Sequence, residues 1–597
     1  MTGYAAPLRD MRFVLRDVVG LEALARLPGF EEVTPDLVDE VLAGAGRLAA
    51  EVLAPLNQPG DRQGSRLENG LVKMPTGFPE AYRRFVEGGW PALRFHPAIG
   101  GHGLPRAVAT AACETWLSAN VSFTLCHLLT EAAVELLAAH GSDSQKALFL
   151  PKLAAGEWTA TMCMTEPQAG SDVGALTTRA VKEGDHYRLT GTKIFTTYGD
   201  HDLAPNIVHL VLARTPEAPP GIKGVSLFIV PKRLVGDDGR PGARNDVRPV
   251  SLEHKLGINA SPTAVMAFGD EGGAVGELVG EDNRGIEYMF TMMNSARLSV
   301  GLQGVALAER AFQQAVSYAR ERRQGHRLGR EAEGPVPLVE HADVRRMLLT
   351  MKALAEATRA LAYDVAGRLD VAKRHRDLEV RRQAWQRVEL LTPVIKAFGT
   401  DAGVEAASLG IQVHGGVGYI EETGAAQHLR DARVGSIYEG TNGIQALDLL
   451  RRKVARDEGT AARAFLDEVR ALDTPLAEGN DEDLASVRRR LKDAADALDK
   501  ATRWMTGTFP RDPDAAAAGA SDYLRTFGLV ACGEAMARAA LAARRRLAAG
   551  NEDACFLRDK LATAGFFAER LLPQASALLI SATRGSPSRD ALEAERG

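Results

Sequence analysis

The sequence predicts a mainly α-helical chain with a β domain inserted into it and a further helical block behind. Three observations carry this reading. Apolar residues fall at helical spacing up to about Trp158. From Thr159 to about Asp282 the texture changes to short β-branched and aromatic runs broken by Gly, Pro and Asp. From Gly285 the helical period returns. The expected domains are therefore 1–158, 159–282, 283–458 and 459–597, in keeping with roughly 100–200 residues per domain.

In the first block Val38, Val41, Leu42, Ala45 and Leu48 share one helix face, as do Leu129, Ala132, Val134, Leu137 and Ala138. In the second, Tyr187–Thr197, Ile207–Ala213, Val225–Val230 and Thr263–Phe268 read as strands. In the third, Leu307, Ala311, Ala315 and Ala319 recur every four residues, and Gly325–Pro337 reads as a loop between two long helices. The last block is rich in Ala, Arg and Leu. Asp473–Asp483 and Pro510–Ser521 read there as linkers, and Arg488–Arg490 and Arg544–Arg546 as solvated helix faces.

Composition narrows the function. Apolar residues make up 45% and charged residues 25% of the 597, the balance of ordinary globular protein, which argues against disorder and fibres. With 72 Lys+Arg against 77 Asp+Glu the net charge is −5, so no basic footprint for nucleic acid is expected. No uninterrupted apolar run is long enough for a bilayer, and Met1–Asp10 has no apolar signal core. Five scattered cysteines without a Cys-x-x-Cys pair fit a reducing compartment, so a cytoplasmic enzyme or assembly protein is expected. No Gly-x-Gly-x-x-Gly follows a strand and opens a helix. There is no Walker phosphate loop, no His-Glu-x-x-His helix, and no clustering of the 13 histidines, so no metal is expected. His209, alone in a strand, reads as a satisfied core or surface residue.

Three segments look different from packing. Met162–Asp172 (MCMTEPQAGSD) gathers Thr165, Glu166, Ser171 and Asp172 around Pro167 and Gly170, so that backbone N–H groups can approach an anionic or heteroaromatic ligand; an ordinary Pro-Gly turn explains it equally. Gln412–Tyr419 (QVHGGVGY) is either a helix C-cap and turn or space cleared for a cofactor. In Ile437–Gln445 (IYEGTNGIQ) Glu439 precedes Gly440 and Thr441. A partly desolvated Glu there is a general base tuned toward neutral pH, and the alternative is an N-cap by Thr441 with Glu439 merely exposed.

Together and in this order, TEPQAGSD and IYEGTNGIQ resemble the acyl-CoA dehydrogenase family of flavoproteins over roughly Leu37 to Arg452. The N-terminal GYAAPLRDMRF and the extra helical block resemble its larger bacterial subgroup of 3-methylmercaptopropionyl-CoA dehydrogenase-type enzymes. The resemblance implies an N-terminal helical domain, a β-barrel-like middle domain, a C-terminal four-helix bundle and an extra C-terminal helical domain. It implies FAD-dependent α,β-dehydrogenation of an acyl-CoA thioester to a trans-2-enoyl-CoA. In that reaction Glu439 takes the α-proton, flavin N5 takes the β-hydride, and electrons leave to an electron-transfer flavoprotein. The alternative position for the base holds Ala296, before Arg297.

Residue by residue, the resemblance puts Met162, Met164, Thr165, Gly170 and Ser171 in the cradle of FAD, with Phe195, Thr196 and Thr197. It puts Arg322, Gln324, Gln412, Gly415 and Gly416 among contacts drawn from a neighbouring subunit, and His341, Thr441 and Gly443 among further FAD contacts. Ser171, Asn294, Arg297, Tyr438 and Gly440 fall beside the acyl-CoA. Two positions depart from the family pattern: Phe195 stands where a Trp is frequent, and Gly325, where an aromatic is usual, opens a longer loop. A homodimer is expected, the extra domain covering the surface that smaller members use for tetramers. The competing readings are an acyl-CoA oxidase and a non-catalytic flavoprotein or CoA-binding assembly factor.

Overall fold

Thr34, in extended conformation, accepts the Leu37 N–H at 3.2 Å and places Pro35 at the first turn of helix α1 (Pro35–Leu48), which turns Val38, Leu42 and Ala45 inward. The computed structural model describes residues 3–236, 238–478, 482–550 and 553–586. Helices α2 (Arg106–Ala119) and α3 (Val121–His140) meet at Asn120, whose side chain caps α3 through the Phe123 N–H. By length and composition α3 and the later Ala520–Ala548 helix are apolar enough to cross a membrane. In the fold 83% and 89% of those windows are buried, as in core helices. The block also holds a small hairpin, Arg66–Glu68 with Leu71–Lys73, that the periodicity does not predict. Its Asn69–Gly70 turn has both residues at positive φ, the hairpin signal that three-residue strands are too short to reinforce.

The middle region forms an eight-stranded sheet. The strands are β1 (Thr159–Cys163), β2 (Arg179–Glu183), β3 (His186–Thr197), β4 (Ile207–Ala213), β5 (Ser226–Pro231), β6 (Val247–Leu252), β7 (Thr263–Phe268) and β8 (Ala274–Leu278). Their order is β6-β7-β3-β8-β5-β4-β1, with β2 also on β3. β3 is long enough to be shared: its first half pairs with β2 and β8, its second with β7. β1 and β4 run parallel, the other pairs antiparallel. His209 on β4 is fully buried, its ring nitrogens 3.0 Å from the Val230 carbonyl and 2.7 Å from the Gly199 carbonyl; burial favours the neutral ring, whose one N–H donates to one of them.

Helices α4 (Gly285–Glu321), α5 (Ala342–Arg374) and α6 (Leu378–His414) pack as a bundle, with Leu307, Ala311, Ala315 and Ala319 all buried. α4 and α6 touch backbone to backbone: a Cβ on Gly304 would lie 1.9 Å from the Gly399 carbonyl oxygen. The loop 325–337 is closed by Gln324–Val336 and Val336–Gly325 backbone bonds of 3.0 Å each. A short helix, Ala425–Arg433, leads to helix α7 (Asn442–Asp448), which continues in π-helical turns to Ala455.

Both expected linkers contain helix. Asp473–Ala477 is helical, residues 479–481 of that stretch lie outside the described residues, and helix α8 runs Glu482–Thr508. In the second, Asp512 caps Pro513–Ala518 through the Ala515 N–H, and helix α9 (Ala520–Ala548) begins inside it. Proline there serves as a helix starter, which sequence reading took for a break. The arginine clusters are exposed but paired: Arg488 with Asp473 at 2.8 Å, Arg489 and Arg490 with Glu569 of helix α10 (Ala554–Arg570), and Arg546 with Asp17 at 3.0 Å.

Candidate active site

On the β domain, β1 and the end of β3 hold the first expected segment. Thr161 donates its hydroxyl to the Thr197 carbonyl at 2.6 Å, and the Ile194 N–H donates to Thr165 at 2.9 Å. Beneath them Lys193 and Glu166 form a buried ion pair at 2.7 Å. Glu166 also accepts from the N–H and hydroxyl groups of Thr177 and Thr178, and these donors with Lys193 hold its carboxyl far below the usual range. Glu166 therefore points into the domain as a brace, not outward with the hydroxyls of its loop. Met162 faces the core beneath β1, Met164, Thr165 and Thr197 are half-buried, and Gly170 and Ser171 are exposed.

Phe195, in left-handed conformation (φ 55°), leaves 59% of itself uncovered on the protein surface, unusual for so large an apolar ring. The Thr196 hydroxyl beside it is buried, with the Cys163 thiol as its polar neighbour and no oxygen or nitrogen partner. An uncovered aromatic face, a hydroxyl with bonding capacity to spare, and open space where Gly170 would carry a side chain fit a flat, polar-edged cofactor such as FAD.

The second group is built on the bundle. Glu439 sits in a turn, not a helix, at φ 56°, with Gly440 following at φ 80°. Glycine suits that left-handed position, and a Cβ there would also come 2.7 Å from Gln445 Nε2 and displace its amide. That amide of α7 donates to the carbonyls of Glu439 (3.3 Å) and Gly440 (3.1 Å). Thr441 is indeed the N-cap of α7, accepting the Ile444 N–H at 3.2 Å, so this part of the bland alternative holds. Glu439 is not merely exposed, however: it is half-buried and its Oε2 is enclosed without a hydrogen-bond partner. Burial raises its pKa, and the nearby cations Arg297 and Lys396 oppose the rise. Among the described residues no acceptor meets the Glu439 N–H.

Arg297 of α4 pairs with Asp448 at 3.1 Å and reaches Asn294 Oδ1 at 3.4 Å, with its Nε unpartnered. Ala296 is buried beside it, as an apolar residue in the alternative base position. Tyr438 donates its hydroxyl to Gln303 of α4. The structure thus gathers Asn294, Arg297, Tyr438, Glu439, Gly440, Thr441 and Gly443 around one turn. It adds Gln303, Lys396, Gln445 and Asp448, which sequence reading missed. A single Lys or Gln on a long helix carries no signal until folding brings it against a turn more than forty residues away.

The third group lies apart, at the far ends of α4 and α6. Tyr318 and His414 stack at 4.5 Å and bring those ends together. Arg322, Gln324, Gln412, Gly415 and Gly416 are all exposed there, and no atom lies within 4 Å of where Gly415 or Gly416 would carry a Cβ. His341 is tied through Nε2 to the Gln324 carbonyl at 2.7 Å, so its ring braces the loop.

Family models match described as acyl-CoA dehydrogenase N-terminal domain (39–157), middle domain (161–270) and C-terminal domain (283–454), and as acetyl-CoA dehydrogenase C-terminal like (462–592). The chain is 48% identical to a 3-methylmercaptopropionyl-CoA dehydrogenase of Ruegeria pomeroyi, over 96% of this chain and 97% of that one. It is 34% identical to a broad-specificity linear acyl-CoA dehydrogenase of Mycobacterium tuberculosis, over 98% and 97%. In fold it resembles a Caenorhabditis elegans protein, ACDH-11, solved with C11-CoA (TM-score 0.78, 22% identity, 100% and 95% covered). It also resembles a Bacillus anthracis acyl-CoA dehydrogenase solved with FAD (TM-score 0.73, 20% identity, 98% and 93% covered).

Proposed function

This chain belongs to the acyl-CoA dehydrogenase family of FAD-dependent oxidoreductases, and from that premise we propose that it desaturates an acyl-CoA thioester at the α,β bond, with Glu439 as its base. The observation that carries the assignment of Glu439 is its carboxylate: enclosed, unpartnered at Oε2, flanked by two cations, and held in a turn whose own N–H is free. Neighbouring carboxylates have other work, Asp448 on Arg297 and Asp401 on Asn442.

Phe195–Thr197, the 162–171 segment and Thr441–Gly443 would hold FAD, which would supply the acceptor for the hydride leaving the β-carbon. The chain's own groups do the rest. A proton α to a thioester is too weakly acidic for a carboxylate unless the oxygen's growing charge is met by a fixed donor. One such donor is worth roughly 2.7–4 kcal/mol. The Glu439 N–H is free to be that donor because the left-handed turn keeps it out of helix hydrogen bonding. Glu439 takes the proton as a carboxylate, and Arg297 and Lys396 keep enough of it ionised in spite of burial. Acyl-CoA filling the site expels water and strengthens each of these interactions.

The finer reading follows the relatives. 3-Methylmercaptopropionyl-CoA stands first among candidate substrates and linear acyl-CoAs second, with a trans-2-enoyl-CoA as product, electrons passed to an electron-transfer flavoprotein, and a cytoplasmic homodimer as the working form. The test is anaerobic addition of a panel of acyl-CoA thioesters to the purified yellow protein. Fast bleaching of the oxidised flavin by 3-methylmercaptopropionyl-CoA supports the reading, and bleaching by linear thioesters alone reassigns the substrate. A protein that no thioester bleaches contradicts it. Hydrogen peroxide formed in step with turnover in air would mark an oxidase.

A further inference from the structure

We propose that Lys396 is the positioning residue of the catalytic turn: its ammonium holds the backbone of Gly440 and the side chain of Asn442, and thereby fixes where the Glu439 carboxylate stands. The inference rests on Glu439 being the base. Lys396 lies in the middle of α6, fully buried, and among the described residues no carboxylate is within salt-bridge distance of it. A buried cation without an ion-pair partner is costly, so its charge must be used on something. Its Nζ donates to the Gly440 carbonyl at 2.8 Å and to Asn442 Oδ1 at 3.0 Å.

One turn along the same face Thr400 takes the Asn442 amide at 3.1 Å, and Asp401 takes it at 2.7 Å. The 440–442 backbone is thus seated on a single turn of α6. The seat is needed because two consecutive residues, Glu439 and Gly440, are left-handed, and a non-glycine residue in that region is strained. The Gly440 oxygen collects both the Lys396 ammonium and the Gln445 amide, which opposes relaxation of the turn. Three charged groups face the ammonium: Glu439 across the turn, Asp401 on its own helix and Arg297 from α4. Burial brings the Lys396 pKa down to about 8, so its charge is lost in mildly alkaline solution.

The test uses the full chain carrying FAD, with Lys396→Met and Asn442→Ala compared by anaerobic flavin reduction across pH; flavin content and melting temperature are followed in parallel. Lys396→Met is expected to bind acyl-CoA with nearly unchanged KM and to lose about 10- to 100-fold in kcat, as for a misplaced reacting group. Removing a positive charge beside Glu439 raises the pKa of the base, so the acid limb of kcat moves to higher pH, and the alkaline limb near pH 8 disappears. Asn442→Ala, which keeps the charge, is expected to slow reduction with the acid limb unmoved; it carries the geometric claim alone if Lys396→Met does not fold. Wild-type kcat and limbs in Lys396→Met overturn the proposal, as does loss of flavin and fold with unmoved limbs. Glu439→Gln, run beside them, separates the two claims: if it is inactive while Lys396→Met is normal, only the positioning role falls. If Glu439→Gln is itself active, the base assignment falls and this role with it.

Discussion

At position 439 a carboxylate is held at φ 56°, half-buried, with one oxygen that accepts from nothing. The folded state pays for this in two ways, through backbone strain and through desolvation. A carboxyl whose pKa is raised by folding holds its proton more tightly folded than unfolded. Its contribution to stability is therefore greatest in acid and falls as pH climbs from the ordinary carboxylate value through the raised one. Glu439→Gln is accordingly expected to melt a few degrees above wild type at neutral pH, with the difference vanishing in acid; calorimetry at several pH values checks this. The same shift places the acid limb of kcat above the ordinary glutamate range, because the base must be ionised, and a limb at or below that range would contradict it. That Glu439 sits in a turn was legible in IYEGTNGIQ, since Gly-Thr follows it and Thr441 can cap the next helix. Lys396 was not legible, and the resemblance set Arg297 beside the acyl-CoA without showing that it nears Glu439: both belong to helices whose relative rotation only the packed bundle fixes.

At the level of elements, the turn is positioned by the contact between α4 and α6. Gly304 meets the Gly399 carbonyl, and Gly403 meets Gly304 in return. Gly304→Ala forces the two helices apart and is expected to destabilise the fold by about 1–3 kcal/mol, the cost of overpacking, and to slow turnover by separating Arg297 from Lys396. A thermal unfolding midpoint within a degree of wild type would argue against that crossing. The strands that sequence reading found, β3, β4, β5 and β7, are those with long β-branched or aromatic runs. It passed over β2 and β6, where exposed residues surround single buried ones, β8, a short Ala-Val-Gly-Glu-Leu run, and β1, a short Thr-Ala-Thr-Met-Cys run too weak to stand out beside its helical neighbours. Helix periodicity was legible where helices are amphipathic. The helix inside the two expected linkers was not legible, because Pro475 and Pro513 lie in first helical turns, where proline is tolerated.

Across the whole molecule, the extra C-terminal block and the N-terminal segment are joined to the bundle by buried charge. Arg359 of α5 holds Glu114 of α2, Glu309 of α4 and Asp10, each within 2.8 Å, and Tyr363 donates to Glu114. Lys560 of α10 takes the other oxygen of Asp10 and Glu356 of α5, both at 2.6 Å. Arg359→Met leaves the buried Glu114 and Glu309 without their cation and Asp10 with Lys560 alone, and is expected to cost about 3–5 kcal/mol, read as a lower denaturant midpoint. A midpoint unchanged from wild type would show that these charges do not bind the termini to the core. The exposed group at Arg322, Gln324, Gly415 and Gly416 fits contact with a second copy. Sedimentation is expected to give a mass near twice 64.0 kDa, and a tetramer's mass would exclude the dimer.

Removal of the α-proton by Glu439 is tested by rapid anaerobic mixing of wild type and Glu439→Gln with 3-methylmercaptopropionyl-CoA. The wild-type flavin is expected to bleach, while the variant binds the thioester, perturbs its flavin spectrum and stays oxidised. Bleaching of the variant at close to the wild-type rate would contradict it.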